Sequence, residues 1–177
     1  MNPSSYETKF LVFYLGSLLF FSMVIKVGEK APEFSLKDSS DQTVSLTDFK
    51  GKRVIIYFYP KDNTPGCTKE ACNFKDNWEI FTKNEIVVIG ISKDNSISHK
   101  KFIEKYELPF ILLVDPTPCK VATDYDSYGL KKFMGKEYMG MMRNTFVIGT
   151  DGNIEKIYLK VKAPIMADHI ISDLNLS

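Results

Sequence analysis

From Arg53 to Tyr59 the chain reads RVIIYFY, β-branched and aromatic residues with little polar alternation, the pattern of a strand covered on both faces. Ile86 to Ile91 and Ile111 to Val114 have the same character. Between these runs the period changes. Cys67, Ala71, Phe74, Trp78 and Phe81 recur at offsets of four, three, four and three, one face of an α-helix that starts near Thr64 and Pro65. Ser96 to Tyr106 reads as a second helix, and this β-α-β-α-β alternation predicts parallel central strands. Upstream, Glu33 to Leu36 and Thr43 to Leu46 flank the turn-rich DSSDQ and predict a hairpin. Downstream, Thr117 and Pro118 are expected to cap and open a helix through about Tyr125, and residues 129 to 142 show no clear period. Asn144 to Ile148 and Ile154 to Lys160 flank the strong turn signal TDGN, and Ala163 to Leu174 closes the chain as a helix. The order predicts the α/β class: a central mixed β-sheet flanked by helices.

The run FLVFYLGSLLFFSMVI, Phe10 to Ile25, does not belong to this pattern. Its sixteen uncharged residues exceed what a core strand needs and fall short of a comfortable membrane span. Residues 1–26 are therefore set apart from a single domain over residues 27–177, and three readings of them stand. They form a membrane anchor through residues 10–25, or an exported leader with Lys9 as a thin positive flank, or an untranslated stretch before a start at Met23. A cytoplasmic protein is expected under the last reading, a membrane-anchored or exported one under the others. Composition narrows the rest. With 44% apolar and 13% aromatic residues, a 177-residue chain fills one core and needs no second domain. The 23 basic and 22 acidic residues nearly cancel, so nucleic acid is not an expected partner. Arg53 and Arg143 are the only arginines, and any need for a planar, permanently charged donor falls on one of them.

Three cysteines in a chain of this length point to chemistry rather than to a disulfide framework. Zinc is the weaker reading, because four residues intervene between Cys67 and Cys72 and neither His99 nor His169 sits in a paired ligand motif. Both histidines are expected to be packed or solvent-facing residues of helices. Cys67 falls in the first turn of its helix, where unpaired N–H groups and the positive end of the dipole favour an anion. A buried apolar cysteine is the competing reading. Five residues along a helix separate the Cα atoms of Cys67 and Cys72 by about 8.5 Å, from roughly 7.5 Å of rise and about 140° of rotation. A disulfide tolerates about 7 Å. The two therefore cannot bond in an intact helix, and a bond between them requires its first turns to unwind.

The segment PKDNTPGC, with Pro60, Thr64 and Cys67, resembles the active-site segment of peroxiredoxins, whose pattern is Pro-x-x-x-Thr/Ser-x-x-Cys. With the following TKEAC it is similar to the bacterioferritin comigratory protein, or peroxiredoxin Q, subfamily, and the likeness runs from about Val27 to the end. LKKFMGKEYMGMMRNTFVI is similar to that subfamily's segment with the catalytic arginine, here Arg143. The resemblance implies a thioredoxin-like fold, with the TDGN hairpin at one sheet edge. It also implies a peroxidase for hydrogen peroxide and organic hydroperoxides in antioxidant defence. Cys67 would be the nucleophile and Cys72 the resolving cysteine, with Arg143 and Thr64 as hydrogen-bond donors and Pro60 as a shield against water. The Cys67–Cys72 disulfide would then be reduced by thioredoxin or a similar dithiol. No metal, flavin or haem is implied, and an internal resolving cysteine leaves a monomer as the expectation. Cys119 has no counterpart; it is expected at the second position of the helix opened by Thr117 and Pro118, as a non-essential or regulatory thiol. The alternative is a thiol-disulfide oxidoreductase of the thioredoxin type, which the absence of Cys-x-x-Cys argues against.

Overall fold

A computed structural model describes residues 25–177, which form one seven-stranded sheet, a separate two-stranded ribbon and five α-helices. Strands β1 (Ser35–Asp38) and β2 (Thr43–Ser45) form the first hairpin, followed by a short 3-10 turn, Leu46–Phe49. Strand β3 (Val54–Phe58) leads to helices α1 (Pro65–Asp76) and α2 (Trp78–Lys83). Then come β4 (Val87–Ser92), α3 (Ser96–Tyr106), β5 (Ile111–Val114) and α4 (Lys120–Asp124). Ribbon strands β6 (Tyr128–Phe133) and β7 (Lys136–Met141) precede β8 (Thr145–Ile148), β9 (Ile154–Tyr158) and α5 (Met166–Asp173). The sheet order is β2-β1-β5-β4-β3-β8-β9, with β3, β4 and β5 parallel and β8 antiparallel to β3. This is the mixed, thioredoxin-like sheet expected, with the β8–β9 hairpin at one edge.

Strand β3 divides the core. Val54, Ile56 and Phe58 point into one cluster with Tyr125, Phe146 and Cys119, whereas Ile55, Tyr57 and Tyr59 point into another with Cys67, Phe74 and Phe102. A side-chain period of two on a strand covered on both faces produces this sorting, so Cys67 and Cys119 lie on opposite faces of the sheet.

Three expectations need correction. The helix read through Cys67, Ala71, Phe74, Trp78 and Phe81 is broken at Asn77, whose Nδ2 donates to the Asn73 carbonyl at 2.9 Å and to Asp168 at 3.2 Å. A short polar side chain competing for helix carbonyls ends α1, while the apolar stripe carries on through Phe81. The stretch 129–142, read as aperiodic, is the β6–β7 ribbon. Its two turn residues, Met134 and Gly135, both have positive φ, the backbone of a two-residue hairpin turn, but methionine hides the usual Asn-Gly signature. Finally, Cys119 stands ahead of α4 in the left-handed region (φ 59°), and Asp115 rather than Thr117 accepts the first-turn N–H groups, of Val121 and Ala122.

Among the described residues no helix is long and apolar enough to cross a membrane. The anchor, leader and Met23 readings fall on residues 1–26, of which 1–24 lie outside the described ones.

Candidate active site

The loop after β3 delivers the chain to α1 at the carboxyl end of the central strand, the edge at which open α/β sheets place their sites. Pro60 lies half-buried on this loop. Thr64 is the residue ahead of α1, with extended backbone (φ −85°, ψ 150°), and Pro65 opens the helix with a φ already suited to it. The Thr64 hydroxyl does not cap the helix; it donates to the Lys61 carbonyl at 2.9 Å. No side chain caps α1, so its first-turn N–H groups are not taken up by a protein side chain.

Cys67 is in that first turn, 1% exposed. Arg143, between β7 and β8, reaches it from across the sheet edge, with Nη2 donating to Sγ at 3.3 Å and Nη1 donating to Glu70 Oε2. The arginine's backbone is fixed on both sides. Its carbonyl accepts from Val161 N at 3.0 Å, and the next carbonyl, that of Asn144, accepts from Phe58 N at 2.9 Å. Gly66 makes room for the guanidinium, since a Cβ there would lie 3.2 Å from Nη2. Burial works against the charge of Arg143, but the Glu70 carboxylate and the Cys67 sulfur more than offset it, and the group is held above its ordinary value.

Glu70, one turn after Cys67, was not singled out in the sequence. It is fully buried, with one oxygen on Arg143 and the other without a partner among the described residues. Burial pushes its carboxyl up to about 7 despite the pull of Arg143. A carboxylate three residues after Cys67 on the buried stripe of α1 was the available signal.

Cys72 lies in the same intact helix, half-exposed, and all three cysteines are free thiols. Burial first, and then the Asp76 carboxylate, push its thiol up while Lys75 pulls it down. Cys119 is completely buried on the far face, and burial with the Asp115 carboxylate raises its thiol too. His169 is exposed and His99 is buried against Asp62. Among the described residues no three His, Cys, Asp or Glu side chains cluster in a way that could hold a metal ion.

Residues 27–157 match the AhpC/TSA family. Peroxiredoxin Bcp of Bacillus subtilis is 49% identical over 152 residues, spanning 86% of this chain and 94% of its own. Peroxiredoxin Bcp of Escherichia coli is 45% identical over 134 residues, 76% of this chain and 85% of its own. Among solved structures, the bacterioferritin comigratory protein of Xanthomonas campestris superposes with a TM-score of 0.78 at 29% identity, covering 85% of this chain and 98% of that one. Peroxidoxin BcpB of Mycobacterium tuberculosis gives a TM-score of 0.75 at 31% identity, covering 85% and 97%. A thioredoxin-like sheet whose central strand leads to a buried cysteine under a guanidinium is the framework of a thiol-based peroxidase. The chain belongs to the AhpC/TSA family, within its Bcp/peroxiredoxin Q group of peroxiredoxins.

Proposed function

We propose that Cys67 is the peroxide-reacting cysteine and Cys72 the resolving one, in a cycle completed by thioredoxin or a similar dithiol. The observation that carries this reading is the guanidinium of Arg143 donating to Cys67 Sγ at 3.3 Å. As thiolate, Cys67 attacks one peroxide oxygen, an S–O bond forms as the O–O bond breaks, and the departing hydroxide or alkoxide takes up a proton. Sulfur is oxidised by two electrons to the sulfenic acid and the peroxide is reduced by two. Negative charge shifts onto the oxygens during this step. Arg143 and the first-turn N–H groups of α1 are the donors in place to meet it; the Thr64 hydroxyl, turned to the Lys61 carbonyl, joins them only by rotating, and Pro60 screens the loop side.

The Cys72 thiol then condenses with the sulfenic acid, releasing water and leaving a Cys67–Cys72 disulfide. In the reduced protein both residues lie in intact α1, beyond the reach of such a bond, so its first turns unwind in every cycle. A dithiol donor reduces the disulfide by exchange, and the helix re-forms. Alkyl peroxide reduction is an activity of the Xanthomonas protein, which supports organic hydroperoxides as substrates beside hydrogen peroxide. A resolving cysteine in the same helix supports a monomer as the working unit. Dependence on a dithiol donor supports action in the cytoplasm, where such donors keep thiols reduced.

Peroxide loss coupled to thioredoxin oxidation tests the assignment. Cys67→Ser is expected to abolish turnover. Cys72→Ser is expected to keep the first, stoichiometric reaction with peroxide and to lose coupled turnover by at least about tenfold, on the usual scale of removing a reacting group. Full coupled activity in Cys67→Ser would overturn it.

A further inference from the structure

A buried polar pair sits on the loop that leads into α1. Asp62, 4% exposed, faces His99, 0% exposed, with 2.9 Å between Oδ2 and Nδ1. On the other side of the ring, His99 Nε2 lies 3.1 Å from the carbonyl oxygen of Leu113 in β5, which can only accept, so Nε2 carries a proton. The Asp62 carboxylate accepts from the Tyr59 hydroxyl at 2.8 Å and from Ser98 Oγ at 2.7 Å, contacts that favour its ionised form. Nδ1 faces the Asp62 carboxylate, so both nitrogens of the ring are held. Burial works to raise the Asp62 carboxyl, but the hydrogen bond and charge of His99, with the Ser98 and Tyr59 hydroxyls, leave it below its ordinary value. The backbone N–H of Asp62 is itself held, donating to Asp94 Oδ2 at 2.8 Å. One loop residue is thus tied to the end of β3, the loop after β4, α3 and β5.

The far end of the segment is tied as firmly. Asn73 Oδ1 accepts from Ala167 N at 2.7 Å and its Nδ2 donates to Asp168 at 2.7 Å, while the Phe74 ring stacks on Tyr57 with centroids 4.8 Å apart. Between these anchors lie residues 63–72, with both cysteines of the cycle. Arg143 donates to Cys67 and Glu70 there, and Thr68 meets the Tyr106 hydroxyl of α3.

We propose that Asp62 and His99 are a positioning pair for Cys67, the fixed end against which α1 unwinds and rewinds. They confine the unwinding to residues 63–72 and return the sulfur to Arg143 when the disulfide is reduced. The inference rests on the Cys67–Cys72 reading. Freed from the pair, the loop joins the unwound segment, whose extra conformational freedom shifts the balance away from the form that meets peroxide. The sulfenic acid then spends more time within reach of Cys72 and less in the folded pocket, where a second peroxide oxidises it to the sulfinic acid.

The test has two parts. Asp62→Asn is near-isosteric and removes the carboxylate that faces the His99 ring. Stopped-flow kinetics should show Cys67 oxidation by hydrogen peroxide slowed about tenfold, and intact mass under excess peroxide should show several-fold less sulfinic acid relative to disulfide. A variant that folds, and is merely less heat-stable, with both quantities at their wild-type values overturns the proposal. Hydrogen exchange on the wild-type protein covers the case of a variant that does not fold. In the disulfide form the Thr68 amide, bonded to the Thr64 carbonyl in α1, should lose protection while the Asp62 amide keeps it. Equal loss at both overturns the positioning role alone. Absence of any Cys67–Cys72 disulfide in the wild-type protein overturns the resolving assignment and this role with it.

Discussion

Arg143 donates to two partners, the Cys67 sulfur and the Glu70 carboxylate, so the state of Glu70 governs how much of the guanidinium's charge is directed at the sulfur. Glu70 is fully buried and its carboxyl is pushed up to about 7, above the value of about 4.3 expected for an unfolded chain. A carboxyl raised in this way binds its proton more tightly in the folded protein. Its contribution to stability is complete below about pH 4.3 and is lost as pH rises through about 7. Glu70→Gln removes that dependence. Urea titrations at pH 8 and pH 5 should show the wild-type protein gaining up to about 3 kcal/mol on the variant at the lower pH. Parallel pH dependence in the two proteins contradicts a Glu70 carboxyl raised by burial. Glu70 and Arg143 are 73 residues apart, and the sequence marked Arg143 by its rarity and its resemblance. The carboxylate escaped notice because a lone glutamate on a helix is ordinarily solvated, even where the spacing sets it beside an apolar stripe.

Under the proposed cycle, helix α1 has to be stable enough to present Cys67 and weak enough to unwind in each turnover. Its start was legible, since Thr64 and Pro65 are an N-terminal signal that depends on backbone geometry alone. Its end at Asn77 was not, because an apolar stripe running on to Phe81 masks a break made by a side-chain hydrogen bond. The β6–β7 ribbon was missed for a related reason: Met134 occupies a turn position of positive φ usually marked by asparagine or glycine. Exposed Lys69 lies inside α1 with no contact to the site, so Lys69→Gly weakens the helix by about 1 kcal/mol, roughly a fivefold shift toward the unwound form. Under excess peroxide the variant should form disulfide faster and accumulate less sulfinic acid than the wild-type protein, by intact mass. An unchanged ratio contradicts unwinding of α1 as the step before the disulfide.

Across the whole molecule, the sheet separates the thiols. Cys67 and Cys72 share α1, while Cys119 is sealed in the core cluster of the other face, behind β3. The alternation of buried strands and amphipathic helices carried the sheet and its parallel centre into the reading of the sequence, and the resemblance supplied the hairpin edge. That Cys119 faces away from the site was not legible, because the face on which a residue outside regular structure lands is set by tertiary contacts such as Asp115 capping α4. The separation makes the pairing of the sulfurs the most direct test of the account. Peptide mapping of the full chain after one equivalent of hydrogen peroxide should find a Cys67–Cys72 disulfide with Cys119 still a free thiol. A Cys67–Cys119 bond, or oxidation at Cys119 with Cys67 left reduced, would contradict it.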